Sequence, residues 1–196
     1  MGSPQGGRLL DVDDSVLCVV DVQPGFVGKL SDGREPFIQR VVWVAALATA
    51  LGVPSVVTEE EPDRNGPTLP EIVERLPGPT PRYTKPTFGL ADVPQIMAAV
   101  EATGRRTAIL VGLETDVCVA HSALGLLDRG YRVVVVRDAV LAPGDAHDDG
   151  IERLRAAGVI SIGVKGLFYE WVRTVDAARK LDDDMASVPV PDGLTL

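Results

Sequence analysis

Short apolar runs alternate along this chain with segments of helical periodicity, and that alternation constrains the fold most strongly. The runs typical of buried strands are 15–22, 53–58, 107–113, 131–136 and 159–163. The segments that favour helices are 37–48, 92–104, 116–129, 151–157 and 167–181. Such βαβ alternation predicts right-handed crossovers and a mostly parallel sheet of about six strands, with helices on both faces. We therefore expect a three-layer α/β/α fold.

The length of the chain favours one domain over residues 1–196. Its 196 residues are 45% hydrophobic, which is enough to bury a core without disulfides or metals. We expect a core of about 15–181 and tails at 1–14 and 182–196. Segment 61–83 holds six prolines and is predicted to be mostly loop, with a short helix at 71–76.

Charge and cysteine content exclude several classes of partner. The formal net charge is −9, which disfavours binding to nucleic acid or to an anionic membrane surface. Two cysteines are too few for a disulfide framework, and no apolar run reaches the length of a membrane span. The first 14 residues lack the pattern of a signal peptide, so we expect a soluble cytoplasmic protein with reduced thiols.

The carboxyl ends of the predicted strands are where a ligand site is expected. Ligands of open parallel sheets bind outside these ends, near the point where the strand order reverses. Asp21, segment 58–61, segment 113–118 and Asp138 lie at or just after strand ends. Chemistry-bearing side chains in these segments are therefore the candidates for a site.

Cys118 falls in the first turn of a predicted helix, directly after a buried strand. The unpaired N–H groups and the dipole of a helix start favour a thiolate, and they could also hold an oxyanion. A buried structural cysteine is the alternative, and position alone leaves both open. Cys18 lies in the middle of a strand and is predicted to be an inert core thiol.

Asp21 and Lys85 are weaker candidates when each is taken alone. Asp21 interrupts an apolar run, where a carboxylate is costly to bury unless it is paired or functional. It could also serve only as a cap or as a hydrogen-bond acceptor in a loop. A lone lysine such as Lys85, which follows the proline-rich segment, is usually solvated.

Taken together, these segments resemble a known family. VVDVQPGF, TKPTFG and GLETDVCVAHSALGLLDRGYRVVVVRDAV are similar to the isochorismatase-like cysteine hydrolases, over about residues 16–171. VTEEEPDRNGPTLPEI further resembles the branch of YcaC-like and isochorismatase-domain-containing proteins. The order and spacing of the segments make the resemblance specific, although each motif is short.

The resemblance implies a catalytic triad of Asp21, Lys85 and Cys118. In the family, the aspartate takes the thiol proton, the lysine keeps the pair charged, and the cysteine attacks a carbonyl to give a thioester. A cation beside Cys118 would lower its pKa. The family also implies a cis Leu113–Glu114 peptide, with the N–H groups of Glu114 and Cys118 aimed at the oxyanion.

The expected reaction is hydrolysis of a C–N bond in a small amide, carbamoyl or ureido compound. Glu59, Phe26 and Phe88 are predicted to contact the substrate, although the two aromatic residues could equally belong to the core. Family members form homo-oligomers, so a homo-oligomer is expected here. No cofactor is required by this chemistry.

A metal site is not expected. Metal-dependent nicotinamidases place histidine ligands after the second strand, whereas segment 58–63 of this chain offers only carboxylates. The two histidines of the chain lie elsewhere. His121 is predicted to be a packed, hydrogen-bonded residue rather than a base for Cys118. His147 is predicted to lie in an exposed polar cluster at a helix start.

Two rival classes of function remain open. A non-catalytic binding or scaffold protein could retain the same fold. A thiol redox protein could use the same cysteine, although Cys18, the second cysteine of the chain, is predicted to be buried and unsuited to resolve a disulfide.

Overall fold

Six parallel strands form one sheet in the order β3-β2-β1-β4-β5-β6. The computed structural model describes residues 8–78 and 80–196; residues 1–7 of the predicted tail and Pro79 of the predicted loop lie outside the described part. The strands are β1 (Ser15–Val20), β2 (Ser55–Glu60), β3 (Arg82–Lys85), β4 (Thr107–Leu113), β5 (Arg132–Leu141) and β6 (Ile160–Ile162). This sheet confirms the predicted fold class.

Helices cover both faces of the sheet. They are α1 (Pro24–Val27), α2 (Arg34–Ala50), α3 (Pro62–Asn65), α4 (Pro70–Val73), α5 (Pro94–Ala102), α6 (Ala120–Asp128), α7 (Ala146–Ala156), α8 (Val164–Val172) and α9 (Val175–Asp184). Helices α2, α8 and α9 pack on one face, and α5, α6 and α7 pack on the other. In the described residues, no helix is long and apolar enough to cross a bilayer.

The alternation of side chains along β1 divides the core into two layers. Leu17 and Val19 pack into the layer under α2 and α8, whereas Val16, Cys18 and Val20 pack into the layer under α5 and α6. All six residues of β1 are buried, as expected for a central strand that is covered on both faces.

The strand order reverses between β1 and β4, which are neighbours in the sheet. Gly112 lets the two strands approach here, because its φ is +125° and a Cβ at this position would lie 2.0 Å from the Val20 oxygen. The adjacent carboxyl ends of β2, β1 and β4 therefore form the edge at which a ligand site is expected.

The structure corrects the sequence analysis at three segments. The predicted loop 61–83 also contains α3, in addition to α4, which overlaps the short helix predicted at 71–76. Strand β3 begins at the end of this segment, so Lys85 is the last residue of a strand. The predicted helix 167–181 is two helices, because the backbone turns at Arg173, which has φ +67°. The second of these helices continues to Asp184, so the C-terminal tail begins about one turn later than expected.

Candidate active site

Four neighbouring strand ends bring the candidate residues together. Lys85 ends β3 and lies beside Glu60, the last residue of β2, in the sheet register. Asp21 follows β1, and its backbone N–H donates to the Thr58 oxygen of β2 at 3.2 Å. Cys118 follows β4 on a short turn. The order of the sheet therefore places all four side chains at one edge.

Asp21 and Lys85 form a fully buried ion pair. The distance from Lys85 Nζ to Asp21 Oδ2 is 2.6 Å, and both side chains are 0% exposed. The Thr58 hydroxyl donates to Asp21 Oδ1 at 2.8 Å, and Lys85 Nζ donates to the Thr87 oxygen at 2.9 Å. Burial raises the pKa of Asp21, and the charge of Lys85 opposes that rise.

Gln23 fixes the end of β2 from the neighbouring strand end. Its Oε1 accepts from the Glu60 N–H at 2.7 Å, while its Nε2 donates to the oxygens of Glu60 at 3.1 Å and Gly66 at 2.6 Å. Gln23 is buried, and both the oxygen and the nitrogen of its side-chain amide therefore hold backbone groups in place. This explains physically why glutamine stands two residues after Asp21.

Glu60 is a member of the site that the sequence analysis missed. Its Oε2 accepts a hydrogen bond from Cys118 Sγ at 3.2 Å and lies 3.6 Å from Lys85 Nζ. Its side chain is 16% exposed, so it borders the solvent more than Asp21 and Lys85 do. The carboxylate therefore lies between the thiol and the buried cation.

Glu59, the glutamate predicted to contact the substrate, is bound elsewhere in the fold. Its Oε1 accepts from the N–H and the hydroxyl of Thr68 at 2.8 and 2.9 Å, and it pairs with Arg82 at 3.3 Å. Adjacent residues of a strand face opposite sides, so Glu59 and Glu60 cannot both reach Cys118. Glu60, and not Glu59, is therefore the glutamate beside Cys118, and the contact of Glu59 with substrate remains a prediction.

Cys118 lies on a single turn of π-helix, Thr115–Val119, that leads from β4 into α6. The residue is 2% exposed. Burial raises the pKa of its thiol, the negative charges of Asp21 and Glu60 raise it further, and Lys85 only partly opposes them. The expectation of a lowered pKa is therefore wrong for this resting geometry, because the sulfur is buried and two carboxylates outweigh the one ammonium beside it. Cys118 is held as a neutral thiol.

The turn before Cys118 contains a cis peptide bond between Leu113 and Glu114. The Glu114 oxygen accepts from the N–H groups of Val117 and Val119 at 3.2 and 3.0 Å, which closes the turn. The Glu114 carboxylate pairs with Lys29 at 3.2 Å, near the surface. The oxyanion role of the Glu114 and Cys118 N–H groups remains a prediction.

The two aromatic candidates occupy different environments. Phe26 is buried in the core, and Lys29 Nζ lies 4.5 Å from its ring centre. Phe88 is 53% exposed and meets the ring of His121 edge-on, at 5.8 Å between centroids. Because Phe88 belongs to the segment that follows Lys85, its contact with substrate remains a prediction, as does that of Phe26.

The remaining thiol and the two histidines lie outside the buried group. Burial raises the pKa of Cys18 to about 12, in keeping with an inert core thiol. His121 is exposed rather than packed. His147 is half-buried, which corrects the predicted exposed cluster, and its Nδ1 lies 3.0 Å from the Thr115 hydroxyl. Helix α7 thereby contacts the turn that carries Cys118.

Asp21, Glu60 and Cys118 also form a group of donors with the spacing of a metal site. Each of the three residues offers one donor atom, and these three atoms all lie within 4.8 Å of one another. The ammonium of Lys85 already supplies a cation to both carboxylates, at 2.6 and 3.6 Å. A divalent ion at this place would be repelled by that charge.

Comparison with known proteins defines the class to which this fold and site belong. A family profile described as "Isochorismatase domain" matches residues 15–165. The chain is 34% identical over 133 residues to "Probable hydrolase YcaC" of Escherichia coli K12, covering 66% of this chain and just under two thirds (64%) of YcaC. It is 33% identical over 175 residues to isochorismatase domain-containing protein 2 of Bos taurus, covering 86% and 80% of the two chains.

Solved structures agree with this match. YcaC from Pseudomonas aeruginosa has a TM-score of 0.86 at 28% identity, covering 93% of each chain. YcaC from E. coli, described as an octameric hydrolase of unknown specificity, has a TM-score of 0.82 at 26% identity, covering 92% of each. The MAR1 ribonuclease from Caenorhabditis elegans has a TM-score of 0.83 at 26% identity, covering 96% of this chain and 98% of that one.

The fold is thus a parallel α/β sheet with a buried thiol, lysine and carboxylates at the reversal of strand order. The chain belongs to the isochorismatase family of hydrolases.

Proposed function

We propose that this chain is a cofactor-independent cysteine hydrolase that cleaves a C–N bond of a small amide, carbamoyl or ureido compound. The observation that carries the proposal is the contact of Cys118 Sγ with Glu60 Oε2, beside the buried Asp21–Lys85 pair. A nucleophile, proton acceptors and a fixed cation are together in one buried group. This is the arrangement that nucleophilic catalysis requires.

The first step moves the thiol proton to a carboxylate as sulfur attacks the carbonyl carbon. Asp21 is the base in this proposal, and Glu60 shares the proton because it already accepts the hydrogen bond from the thiol. Since Cys118 is neutral at rest, proton transfer accompanies attack and does not precede it. Lys85 then balances the remaining negative charge.

The second step breaks the C–N bond. The tetrahedral oxyanion is held by the N–H groups of Glu114 and Cys118, and the carboxylate returns its proton to the leaving nitrogen. The acyl or carbamoyl group stays on sulfur as a thioester or thiocarbamate. Water then attacks that carbonyl, gives a proton to the carboxylate and regenerates the thiol.

Burial of the group supports a small molecule as the substrate. Cys118 is 2% exposed and Lys85 is 0% exposed, so a long chain could not reach the sulfur without rearrangement of the loops. The YcaC structure from P. aeruginosa contains covalent acrylamide, a small amide. Acrylamide adds to nucleophiles through its vinyl carbon and keeps its amide bond, so we take this as support for a reactive nucleophile in this family rather than for cleavage of a particular amide.

The proposal includes catalysis without a metal. Lys85 supplies the positive charge that a metal would otherwise provide to Asp21 and Glu60. Turnover is therefore expected to survive EDTA treatment, with no gain on addition of zinc. Stoichiometric zinc together with chelator-sensitive turnover would contradict this part of the proposal.

The name of the C. elegans neighbour raises ribonuclease activity as a second candidate. The net charge of −9 disfavours it, because binding to RNA depends on Lys and Arg that neutralise phosphates. Cleavage of a labelled single-stranded RNA, lost in Cys118→Ala, would favour this candidate over the amidase.

A redox role and a non-catalytic binding role can each be tested against hydrolysis. A redox cycle would require a resolving thiol, and Cys18 is fully buried in the middle of β1. Peroxide consumption measured beside amide hydrolysis separates the redox role. A binding protein would show neither activity.

Ammonia release from a panel of small amides, carbamoyl and ureido compounds tests the proposed function. We expect turnover by the wild type, a loss of at least about a thousandfold in Cys118→Ala, and wild-type turnover in Cys18→Ala if that variant folds. Circular dichroism and thermal unfolding verify that each variant is folded. Equal loss of turnover in both variants would contradict the assignment of Cys118 as nucleophile.

A further inference from the structure

A cavity lies at the carboxyl end of β5, between α2 and α7. Its volume is about 390 Å³, and none of Asp21, Glu60, Lys85 or Cys118 contributes to its wall. The ladder between β4 and β5 is irregular here, since Leu110 pairs with Val135 while Gly112 pairs with Val140. Arg137 and Asp138 belong to the extra residues of β5 that this irregularity leaves beside the cavity.

Three arginines line this cavity, in a chain whose net charge is −9. Arg40 is held in place by its Nη1 and Nη2, which donate to the Pro36 oxygen at 3.2 Å and the Asp192 oxygen at 3.3 Å. Its Nε is buried, makes no hydrogen bond, and lies 3.6 Å from Asp138 Oδ2. The Nε–H of the Arg40 guanidinium therefore lacks a hydrogen-bond acceptor at the cavity.

The guanidinium groups of the remaining two arginines have no anionic partner within residues 8–78 and 80–196. Neither the Arg137 nor the Arg155 side chain makes a hydrogen bond or an ion pair there, and both residues are exposed. Asp138 is already engaged, because its Oδ1 accepts from the Val164 N–H at 2.8 Å while its Oδ2 faces Arg40. Asp148 is the second carboxylate of the wall, so positive charge exceeds negative charge around this cavity.

The rest of the wall is mostly apolar, and it also includes Gly33 and His147. The apolar side chains are Pro36, Phe37, Val140, Leu141 and Ile151. A cavity that combines unpaired guanidinium groups with an apolar wall suits a ligand with one anionic end and a short apolar body.

We propose that this cavity binds a small organic carboxylate. The carboxylate accepts hydrogen bonds from Arg137 and Arg155, whose planar donors match its two oxygens. The body of the ligand packs on Phe37 and Ile151. This binding requires no chemistry at Cys118, so it stands or falls independently of the proposed hydrolase activity.

Isothermal titration with benzoate at constant ionic strength tests the proposal. Acetate is the probe that lacks the apolar body, benzyl alcohol is the probe that lacks the charge, and inorganic phosphate is the purely inorganic anion. We expect benzoate to bind more tightly than each of these three probes. Equal binding of phosphate and benzoate would overturn the assignment to an organic carboxylate.

The variants Arg137→Gln and Arg155→Gln are each expected to weaken benzoate binding about tenfold or more. Arg153→Gln is the matched control, because Arg153 is an exposed arginine of the same helix that does not line the cavity. Protein alkylated at Cys118 should bind benzoate as the unmodified protein does. Loss of binding on alkylation, or equal effects of all three variants, would contradict the proposal.

Discussion

Two carboxylates and one ammonium surround the sulfur of Cys118, and this balance of charge determines how the thiol can react. A thiolate beside the Asp21 and Glu60 carboxylates would add negative charge to a buried group that holds a single ammonium. The thiol therefore keeps its proton until a carboxylate can take it during attack. From this balance of charge we predict different effects for variants of Glu60 and of Lys85.

The variant Glu60→Gln is expected to separate two kinds of reactivity at Cys118. Its turnover should fall by about 10–100-fold, because a proton acceptor is lost. Alkylation of Cys118 by iodoacetamide at pH 8 should become faster, because Glu60 raises the pKa of that thiol. Glu61→Gln is the control, since Glu61 is exposed and its carboxylate pairs with exposed Arg64 rather than with a residue of the site. A parallel fall of both rates in Glu60→Gln would contradict this role.

The variant Lys85→Met leaves Asp21 buried without its counter-charge. Breaking a buried pair in this way costs about 3–5 kcal/mol of unfolding free energy. Burial already raises the pKa of Asp21 above 3.8, and losing Lys85 raises it further. A carboxyl with a raised folded-state pKa stabilises the fold at pH below 3.8 and loses that contribution as the pH rises through its folded-state pKa.

The destabilisation by Lys85→Met is therefore expected to be smallest near pH 4 and to grow towards pH 7. Urea unfolding across this range measures it. Lys165→Met serves as the control at an exposed lysine and should change the unfolding free energy by less than about 0.5 kcal/mol. A loss of unfolding free energy in Lys85→Met that does not change with pH would contradict the proposed contribution of the Asp21–Lys85 pair.

At the scale of elements, the site depends on how closely the strand ends approach one another. Gln23 joins the end of β1 to the end of β2, and Gly112 lets β4 approach Val20 of β1. The contact of His147 with Thr115 joins α7 to the turn after β4. The position of Cys118 is therefore fixed from several directions.

The variant Gly112→Ala is expected to destabilise the fold by more than about 3 kcal/mol. The added Cβ would lie 2.0 Å from the Val20 oxygen. That oxygen belongs to the backbone of β1, which cannot move away without separating β1 from β4. Gly52→Ala is a matched control at positive φ (+71°), with nothing within 4 Å of the added Cβ, and should cost only about 1–2 kcal/mol. Equal losses of unfolding free energy in the two variants, measured by thermal or urea unfolding, would contradict the close approach of β4 to β1.

The sequence predicted the elements whose patterns are local. Strands β1 and β4 are continuous apolar runs, and Asp21 stands out because it interrupts one of them. Strand β3 was missed because RYTK is short, polar and at the edge of the sheet. The break at Arg173 was missed because no glycine or proline marks it.

Several features of the site depend on contacts between distant elements. The sequence analysis ended β2 at residue 58, so it could not determine which glutamate faces Cys118; the strand in fact continues to Glu60. The pKa of Cys118 was predicted with the wrong sign because the prediction considered only the cation and the helix start. Burial of the sulfur raises the pKa most, the charge of Asp21 raises it further, and Glu60 adds to the rise that Lys85 only partly opposes.

At the scale of the whole molecule, we expect a homo-oligomer. YcaC from E. coli is described as octameric, and this chain exposes large apolar side chains at Phe88, Tyr169 and Val175, of which 53%, 49% and 67% are accessible. Light scattering after size exclusion should give a multiple of the 20.8 kDa chain mass. A mass of one chain at micromolar concentration would contradict this expectation.

Trapping the covalent intermediate tests the central claim most directly. An amide identified by ammonia release is mixed with the enzyme, the reaction is quenched in acid, and the protein is analysed by intact and peptide mass spectrometry. We expect a mass increase equal to the acyl or carbamoyl group, located on the peptide that contains Cys118 and absent from Cys118→Ser. Turnover that persists in Cys118→Ser, or an adduct located only at Cys18, would contradict the proposed mechanism.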